Sequence, residues 1–286
     1  MKLLKYSIVF ILLIMVSCNT IKQDYSNTGY EMVINLVFKD HGEYPIGPYI
    51  NITIDGKSYL AFLDTGTEDT LLLLNQEIID ELNLEIIGEE IYGTVSGIHQ
   101  NNIYNLPELI IGNNLQIING NISVLPNDFW DIDCVLGLSA LNGYKTLLSY
   151  RENKMYLYKD GNNSITENWT CVDLINDQIS EQGTGIYFNG SFGNNEYIFY
   201  LDTGGSSYLS DNNYYDNILN REIFEYYGRD KIFTISGRRF RNNRLWYSQR
   251  REEANMAPMD LLIGYTLLIN YDVYIDIENR KLYIEK

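Results

Sequence analysis

The sequence predicts an all-β protein built from two similar halves. Three observations lead there. Much of the chain consists of short alternating or apolar runs bounded by Gly, Asn and Asp, the pattern of strands and turns. Helix-period signals are few. The half from about Glu31 to Tyr158 can be laid on the half from about Trp169 to Lys286. The composition supports a sizeable core: of 286 residues, 45% are hydrophobic and 13% aromatic, including 25 Tyr. At roughly 100–200 residues per domain, this length suits one large domain or two smaller ones. Five Pro and 22 Gly exclude collagen-like and Pro-rich disordered classes.

Residues 1–17 read as a signal peptide. Lys2 and Lys5 form a basic start, and Tyr6 to Val16 is apolar apart from Ser7. That length fits a signal core and is short for a membrane span. Met15-Val16-Ser17-Cys18 resembles a bacterial lipoprotein cleavage box, with Met15 where Leu is usual. The resemblance implies that Cys18 is lipidated and becomes the mature N-terminus. The protein would then be exported and anchored by lipid to a membrane of the cell envelope. The alternative is an ordinary signal peptide that leaves Cys18 a spectator. Residues 18–30 are polar and read as a lipidated tether.

Two lobes are expected next, over 31–160 and 161–286. Tyr49 to Ile54, the Asp55-Gly56 turn and Tyr59 to Leu63 read as a hairpin. Gly185 to Phe192, Gly193-Asn194-Asn195 and Tyr197 to Leu201 read as another. Asn75 to Leu84 and Asp211 to Tyr227 are candidate helices in corresponding places. Ser139 to Tyr144 and Thr266 to Tyr271 are candidate helical turns. Lys159 to Asn168 is turn-rich and makes the best linker.

Four matches, in one order, carry the repeat. Tyr59 to Gly66 aligns with Tyr197 to Gly204 at an offset of 138. Thr94-Val95-Ser96-Gly97 aligns with Thr234-Ile235-Ser236-Gly237 at 140. Asp133 to Gly137 aligns with Asp260 to Gly264 at 127. Glu152 to Leu157 aligns loosely with Glu278 to Tyr283 at about 126.

A lone Asp-Thr-Gly is an ordinary turn sequence. Two of them, each ending an apolar strand at equivalent points of a duplicated chain, are another matter. Docked about a pseudo-twofold axis, those points meet. Carboxylates that meet share one proton and titrate as a unit. Such a pair takes a proton from water while giving one to a carbonyl oxygen, without His, Ser, Cys or metal. That suits a chain with only His41 and His99, both expected in surface loops, and with neither HExxH nor GxxxxGK.

These motifs resemble the aspartic peptidases, both the two-lobed pepsin-like kind and the dimeric retropepsin kind. Leu63-Asp64-Thr65-Gly66-Thr67-Glu68-Asp69-Thr70 is close to the retropepsin active-site string. Val135-Leu136-Gly137 and Leu262-Ile263-Gly264 are similar to the apolar strand beneath each catalytic loop. The likeness spans about Glu31 to Lys286. It implies a bilobal acid-protease-like fold, with two β-barrel-type lobes and a cleft between them. It also implies catalytic Asp64 and Asp202, with Thr65 and Thr203 bonding across the dyad. Gly66 and Gly204 would pass close to the carboxylates, and Thr67 would give its hydroxyl to one of them. Gly205 departs from the pattern, lacking that hydroxyl and leaving Asp202 less well buttressed. Tyr92, in Tyr92-Gly93-Thr94, is the flap candidate; its alternative is a strand Tyr packed on a sheet. The Ser96-Gly97 and Ser236-Gly237 tips would both overhang the cleft.

The function so implied is a membrane-anchored aspartic endopeptidase acting on polypeptides, with no cofactor and no metal. The alternative is an inactive peptide- or protein-binding lipoprotein of the same fold. Two motifs in one chain remove the need for a dimer. With Asp plus Glu 38 against Lys plus Arg 21, a net charge of −17 argues against nucleic acid. Arg238, Arg239, Arg241, Arg244, Arg250 and Arg251 cluster against this trend. They read as a solvated loop, or as a basic rim for acidic peptides or lipid headgroups. Cys134 and Cys171 are either a disulfide pair or free thiols.

Overall fold

A computed structural model of the chain describes Tyr25 and residues 28–41, 44–67, 71–73, 76–94, 97–106, 108–112, 115–118, 121–124, 132–159, 163–175, 185–205, 207–209, 225–247 and 261–285. The expected leader and Cys18 lie outside them.

In the first half the strands are β1 (Met32–Asn35), β2 (Val37–His41), β3 (Tyr44–Ile54), β4 (Lys57–Asp64), β5 (Leu71–Leu73), β6 (Ile86–Thr94), β7 (Gly97–Asn105), β8 (Glu108–Ile111), β9 (Leu115–Ile118), β10 (Asn121–Val124), β11 (Cys134–Gly137), β12 (Lys145–Ser149) and β13 (Lys154–Tyr158). Helix α1 (Gln76–Leu82) falls where a helix is expected, and a 3-10 turn covers Leu138–Leu141. The linker holds a short helix, α2 (Asn163–Thr166). The second half contributes β14 (Thr170–Asp173), β15 (Tyr187–Phe192), β16 (Asn195–Leu201), β17 (Tyr208–Leu209), β18 (Glu225–Ile235), β19 (Arg238–Tyr247), β20 (Leu261–Ile263), α3 (Tyr265–Leu268), β21 (Val273–Asp276) and β22 (Lys281–Ile284). Of the helix expected over 211–227, residues 211–224 lie outside the described residues and 225–227 open β18 instead.

The protein is nearly all-β, with a curled sheet in each half. Ten strands of the first half form one sheet, ordered β6-β7-β10-β5-β11-β4-β3-β8-β9 with β2 beside β3. Six strands of the second half close into a barrel, β15-β16-β20-β17-β19-β18. A third sheet, β1-β13-β12-β21-β22-β14, takes strands from both halves, and β12 joins β21 at its centre. One apolar cluster runs through both halves, from Ile50 and Leu63 to Phe199 and Ile263.

The central strands follow from their sequences. Ala61-Phe62-Leu63, Cys134-Val135-Leu136 and Leu261-Leu262-Ile263 are unbroken apolar runs and are buried throughout. Strands covered on both faces have this character, whereas half-exposed ones alternate. They form an equivalent parallel pair in each half: β11 with β4, and β20 with β16. The Asp55-Gly56 turn supplies the positive φ values (48° and 76°) that its two-residue hairpin requires.

The structure corrects two of the four repeat matches. The last is in register at an offset of 127: Asn153 and Arg280 hold the positive-φ corner of each turn, and Lys154 and Lys281 begin the following strands. The Thr-x-Ser-Gly match is not a repeat equivalence. Ser96-Gly97 belongs to the β6–β7 turn, and Ser236-Gly237 to the β18–β19 turn. Yet Thr234 pairs with Ser191 on β15, the counterpart of Thr53 on β3, which pairs with Ile110. Thr234 therefore corresponds to Ile110, and the Ser236-Gly237 turn to the turn at Gly112. The residues leading into it, Phe233 and Thr234, pair with Phe192 and Ser191 near the end of the β15–β16 hairpin away from Asp202.

The tether reading is corrected for its last part. Tyr25 is fully buried against Tyr156 and Trp169. Its hydroxyl donates to Asp272 Oδ2 at 2.8 Å. The Thr28 and Tyr158 hydroxyls bond at 2.8 Å, and Tyr30 packs on Tyr156. Arg151 of the first half reaches Asp272 (2.6 Å) and Glu285 of the second. Tyr25 thus covers an ion-paired seam between the halves.

Candidate active site

Each Asp-Thr-Gly loop leaves the end of a buried parallel pair. Leu63 and Asp64 stand opposite Leu136 and Gly137, and Leu201 stands opposite Ile263. Each loop is then tied to the segment after its partner strand. Leu138 N–H donates to Thr67 O (2.8 Å), and Tyr265 N–H donates to Gly205 O (3.0 Å). The two loops are therefore presented in the same way by their two halves.

They meet through their threonines. Thr65 N–H donates to Thr203 Oγ1, and Thr203 N–H donates to Thr65 Oγ1, both at 3.0 Å. Each hydroxyl in turn donates across the axis, Thr65 to Leu201 O (3.1 Å) and Thr203 to Leu63 O (2.8 Å). Thr65 and Thr203 are 1% and 0% exposed, so these four bonds form away from water and pair both threonine hydroxyls and both threonine amides.

The interlock brings the carboxyls together. Asp64 and Asp202, both partly exposed, bond to each other. Gly66 N–H donates to Asp64 Oδ1 (2.7 Å), and the Thr67 hydroxyl donates to Oδ2 (3.1 Å). At Asp202 both donors are backbone: Gly204 N–H (2.7 Å) and Gly205 N–H (3.0 Å) share Oδ1. Gly205 thus replaces the missing hydroxyl with its own amide, so Asp202 keeps two donors. The difference is that, among the described residues, Oδ2 of Asp202 gains no counterpart of Thr67. Asp202 is held well above the ordinary carboxylate range, first by burial and then by the neighbouring Asp64 charge. The two backbone donors oppose that rise without cancelling it. Both oxygens of Asp64 accept from donors of its own loop, whereas Oδ2 of Asp202 has none among the described residues and is where a proton shared by the pair fits.

The glycines are required by space. A Cβ on Gly204 would stand 2.6 Å from Asp64 Cγ, and one on Gly66 would stand 2.9 Å from Asp202 Cγ. Gly204→Ala is expected to push the carboxyls apart and cut turnover at least about a hundredfold, since a misplacement of ~1 Å has that scale of effect. Gly88→Ala, whose Cβ would meet only Ile103 at 3.8 Å, serves as the silent control. Peptide-cleavage rates of the two variants check this.

One residue near the pair was not singled out from the sequence. Tyr150, 6% exposed, packs its ring on Phe38 at 5.2 Å, and its hydroxyl is buried without a hydrogen-bond partner. Burial raises its pKa, and the Asp202 and Asp64 charges add to that rise. It is therefore a neutral phenol that feels both carboxyls. Nothing local marks it out among 25 Tyr.

Tyr92 lies in β6 opposite His99, near the hairpin turn; its side chain is outside the described ones. Cys134 and Cys171 are free thiols, the first buried and the second exposed. Burial, with Asp133 nearby, pushes the Cys134 thiol well above its usual value. Among the described residues, no group of three or more His, Cys, Asp or Glu is placed to hold a metal ion. Set against protein-family models and curated proteins, the chain matches none.

Proposed function

We propose that the chain is an aspartic endopeptidase of the bilobal acid-protease fold, anchored to an envelope membrane through Cys18 and acting on polypeptides. One observation carries the reading: the reciprocal threonine interlock that sets Asp64 and Asp202 in contact, with one of them held protonated. A water between the carboxyls gives its proton to Asp64 as its oxygen adds to the scissile carbonyl carbon. Asp202 gives its proton to the carbonyl oxygen. The tetrahedral adduct then collapses: a proton from Asp64 reaches the leaving nitrogen, the C–N bond breaks, and one hydroxyl of the adduct returns its proton to Asp202, leaving an acid, an amine and the pair as it began. The Gly204 and Gly205 amides hold Asp202 Oδ1 in place throughout.

The pair works while it holds one proton. Because Asp202 is raised, the descending limb of the kcat/KM profile is expected well above the usual carboxylate range. The test is cleavage of an unfolded protein between about pH 3 and pH 7, with and without a pepstatin-type inhibitor. Inhibitor-sensitive cleavage that persists toward neutrality is expected. Absence of cleavage across the range would sink the reading.

A further inference from the structure

We propose that the β18–β19 hairpin, through Arg238, Arg239 and Arg241, is a membrane-docking surface that seats the protein on anionic lipid headgroups. This rests on the reading that Cys18 carries lipid. The sequence alone leaves three readings of these arginines, a solvated loop, a rim beside the cleft and a contact to headgroups. Their place in the fold favours the last. Arg239 and Arg241 stand opposite Thr234 and Ile232, and Thr234 pairs with Ser191 near the end of the β15–β16 hairpin that points away from Asp202.

The same hairpin adjoins the point where the chain from Cys18 joins the fold. Arg238 reaches Asn168 O at 3.5 Å, and the next residue, Trp169, packs edge-on against Tyr25. By a second route, Arg241 N–H donates to the Tyr271 hydroxyl (2.8 Å), and the next residue, Asp272, accepts from Tyr25. Two short chains of contact therefore link Tyr25 to β19. Only seven residue steps separate Cys18 from Tyr25. Fully extended, they reach roughly 25 Å. A lipid on Cys18 holds this side of the molecule within that distance of the bilayer.

The hairpin presents the chemistry such a surface needs. Phe233 and Phe240 point inward and are buried. The alternate positions point outward: Ile232 faces Arg241 across the strands, and Thr234 faces Arg239. Arg239 and Arg241 are exposed, and Ile232 is 40% exposed. Arg239 and Arg241 beside an exposed isoleucine, with the half-buried Arg238 next to the turn, suit an anionic interface, where each basic residue contributes on the order of 1 kcal/mol. The chain as a whole, at −17, is repelled by the same surface. The protein would therefore sit with this edge down, turning the far end of the second half away from the substrate side.

The test uses residues 18–286 with Cys18→Ser, a chain that retains every described residue, and sedimentation with vesicles. Binding to phosphatidylglycerol vesicles at low salt is expected, with none to phosphatidylcholine. Binding should disappear near 1 M salt, where the screening length falls to about 3 Å. Arg238→Glu/Arg239→Glu/Arg241→Glu is expected to weaken binding about a hundredfold or more, and the triple Lys variant to retain it. Equal binding by the Glu variant, or no binding of the parent chain to phosphatidylglycerol, overturns the proposal. Acyl-label incorporation at Cys18 in cells is read separately. Arg-dependent binding without label would remove the anchor and leave the surface standing; label without Arg-dependent binding would do the reverse.

Discussion

Asp202→Asn is expected to abolish peptide cleavage and at the same time to stabilise the folded chain at neutral pH. The loss of activity follows from removing the proton donor of the pair, a role worth at least about 10²–10⁴-fold. The gain in stability follows from the raised pKa. A carboxyl whose folded pKa lies above its unfolded value of ~3.9 binds its proton more tightly in the folded state. Its contribution is full below about pH 4 and is lost as pH rises through the folded pKa. At pH 7 the wild-type chain bears the cost of a charge that burial and Asp64 both disfavour. Asparagine bears none. Its Oδ1 still accepts from Gly204 and Gly205, and its Nδ2 donates toward Asp64 as the protonated acid does. A rise in Tm of about 3 °C or more is expected at pH 7, on the scale where ~1 kcal/mol moves a chain of this size by about 2–4 °C. The difference should vanish near pH 3.

Asp64→Asn is expected to be equally inactive but not stabilised. Both of its oxygens accept from donors, Gly66 N–H and the Thr67 hydroxyl, so an amide nitrogen would face one of them. Thermal melts of both variants between about pH 3 and pH 7, beside their cleavage rates, check the pair of outcomes. Stability of Asp202→Asn that tracks the wild type at every pH would remove the assignment of the shared proton.

The contrast between the two aspartates also marks where the sequence was legible. Two Asp-Thr-Gly strings, each after an apolar run, announced the meeting of the loops because an unbroken apolar strand has few places to go but the centre of a sheet. Asymmetry within the pair was only half visible: the missing hydroxyl at Gly205 was readable, its replacement by a backbone amide was not. The Thr-x-Ser-Gly match misled for a physical reason. Ser236 and Gly237 hold positive φ (48° and 75°), so the string suits a tight hairpin turn wherever one is needed and carries no information on which hairpin it closes. Tyr25 was illegible for a different reason. It stands in a polar stretch, and its partner Asp272 is 247 residues away, so no local pattern announces its burial.

Thr203→Val is expected to cost about 2–6 kcal/mol, much of the stability of an ordinary domain. The substitution keeps the shape of the side chain and removes its hydroxyl. Thr65 N–H then lacks its acceptor and Leu63 O lacks its donor, both where water does not reach. Each orphaned group costs roughly 1–3 kcal/mol. Thr203→Ser, which keeps the hydroxyl, should stay within about 1 kcal/mol of the parent by the same reasoning. Thr65→Val orphans a different set, Thr203 N–H and Leu201 O, so simple bookkeeping makes the two substitutions additive. The geometry argues otherwise. All four bonds cross one axis between the halves, and once either hydroxyl is gone the loops are free to part and hydrate. The double variant is therefore expected to be less destabilised than the sum, by at least about 0.5 kcal/mol, the threshold at which sites count as coupled. Parting of the loops also separates Asp64 from Asp202, so kcat should fall with the first valine and hardly further with the second. Denaturant melts and cleavage rates of the cycle decide it. Full additivity in stability, with turnover preserved in either single variant, would mean that something other than the threonines holds the carboxyls together.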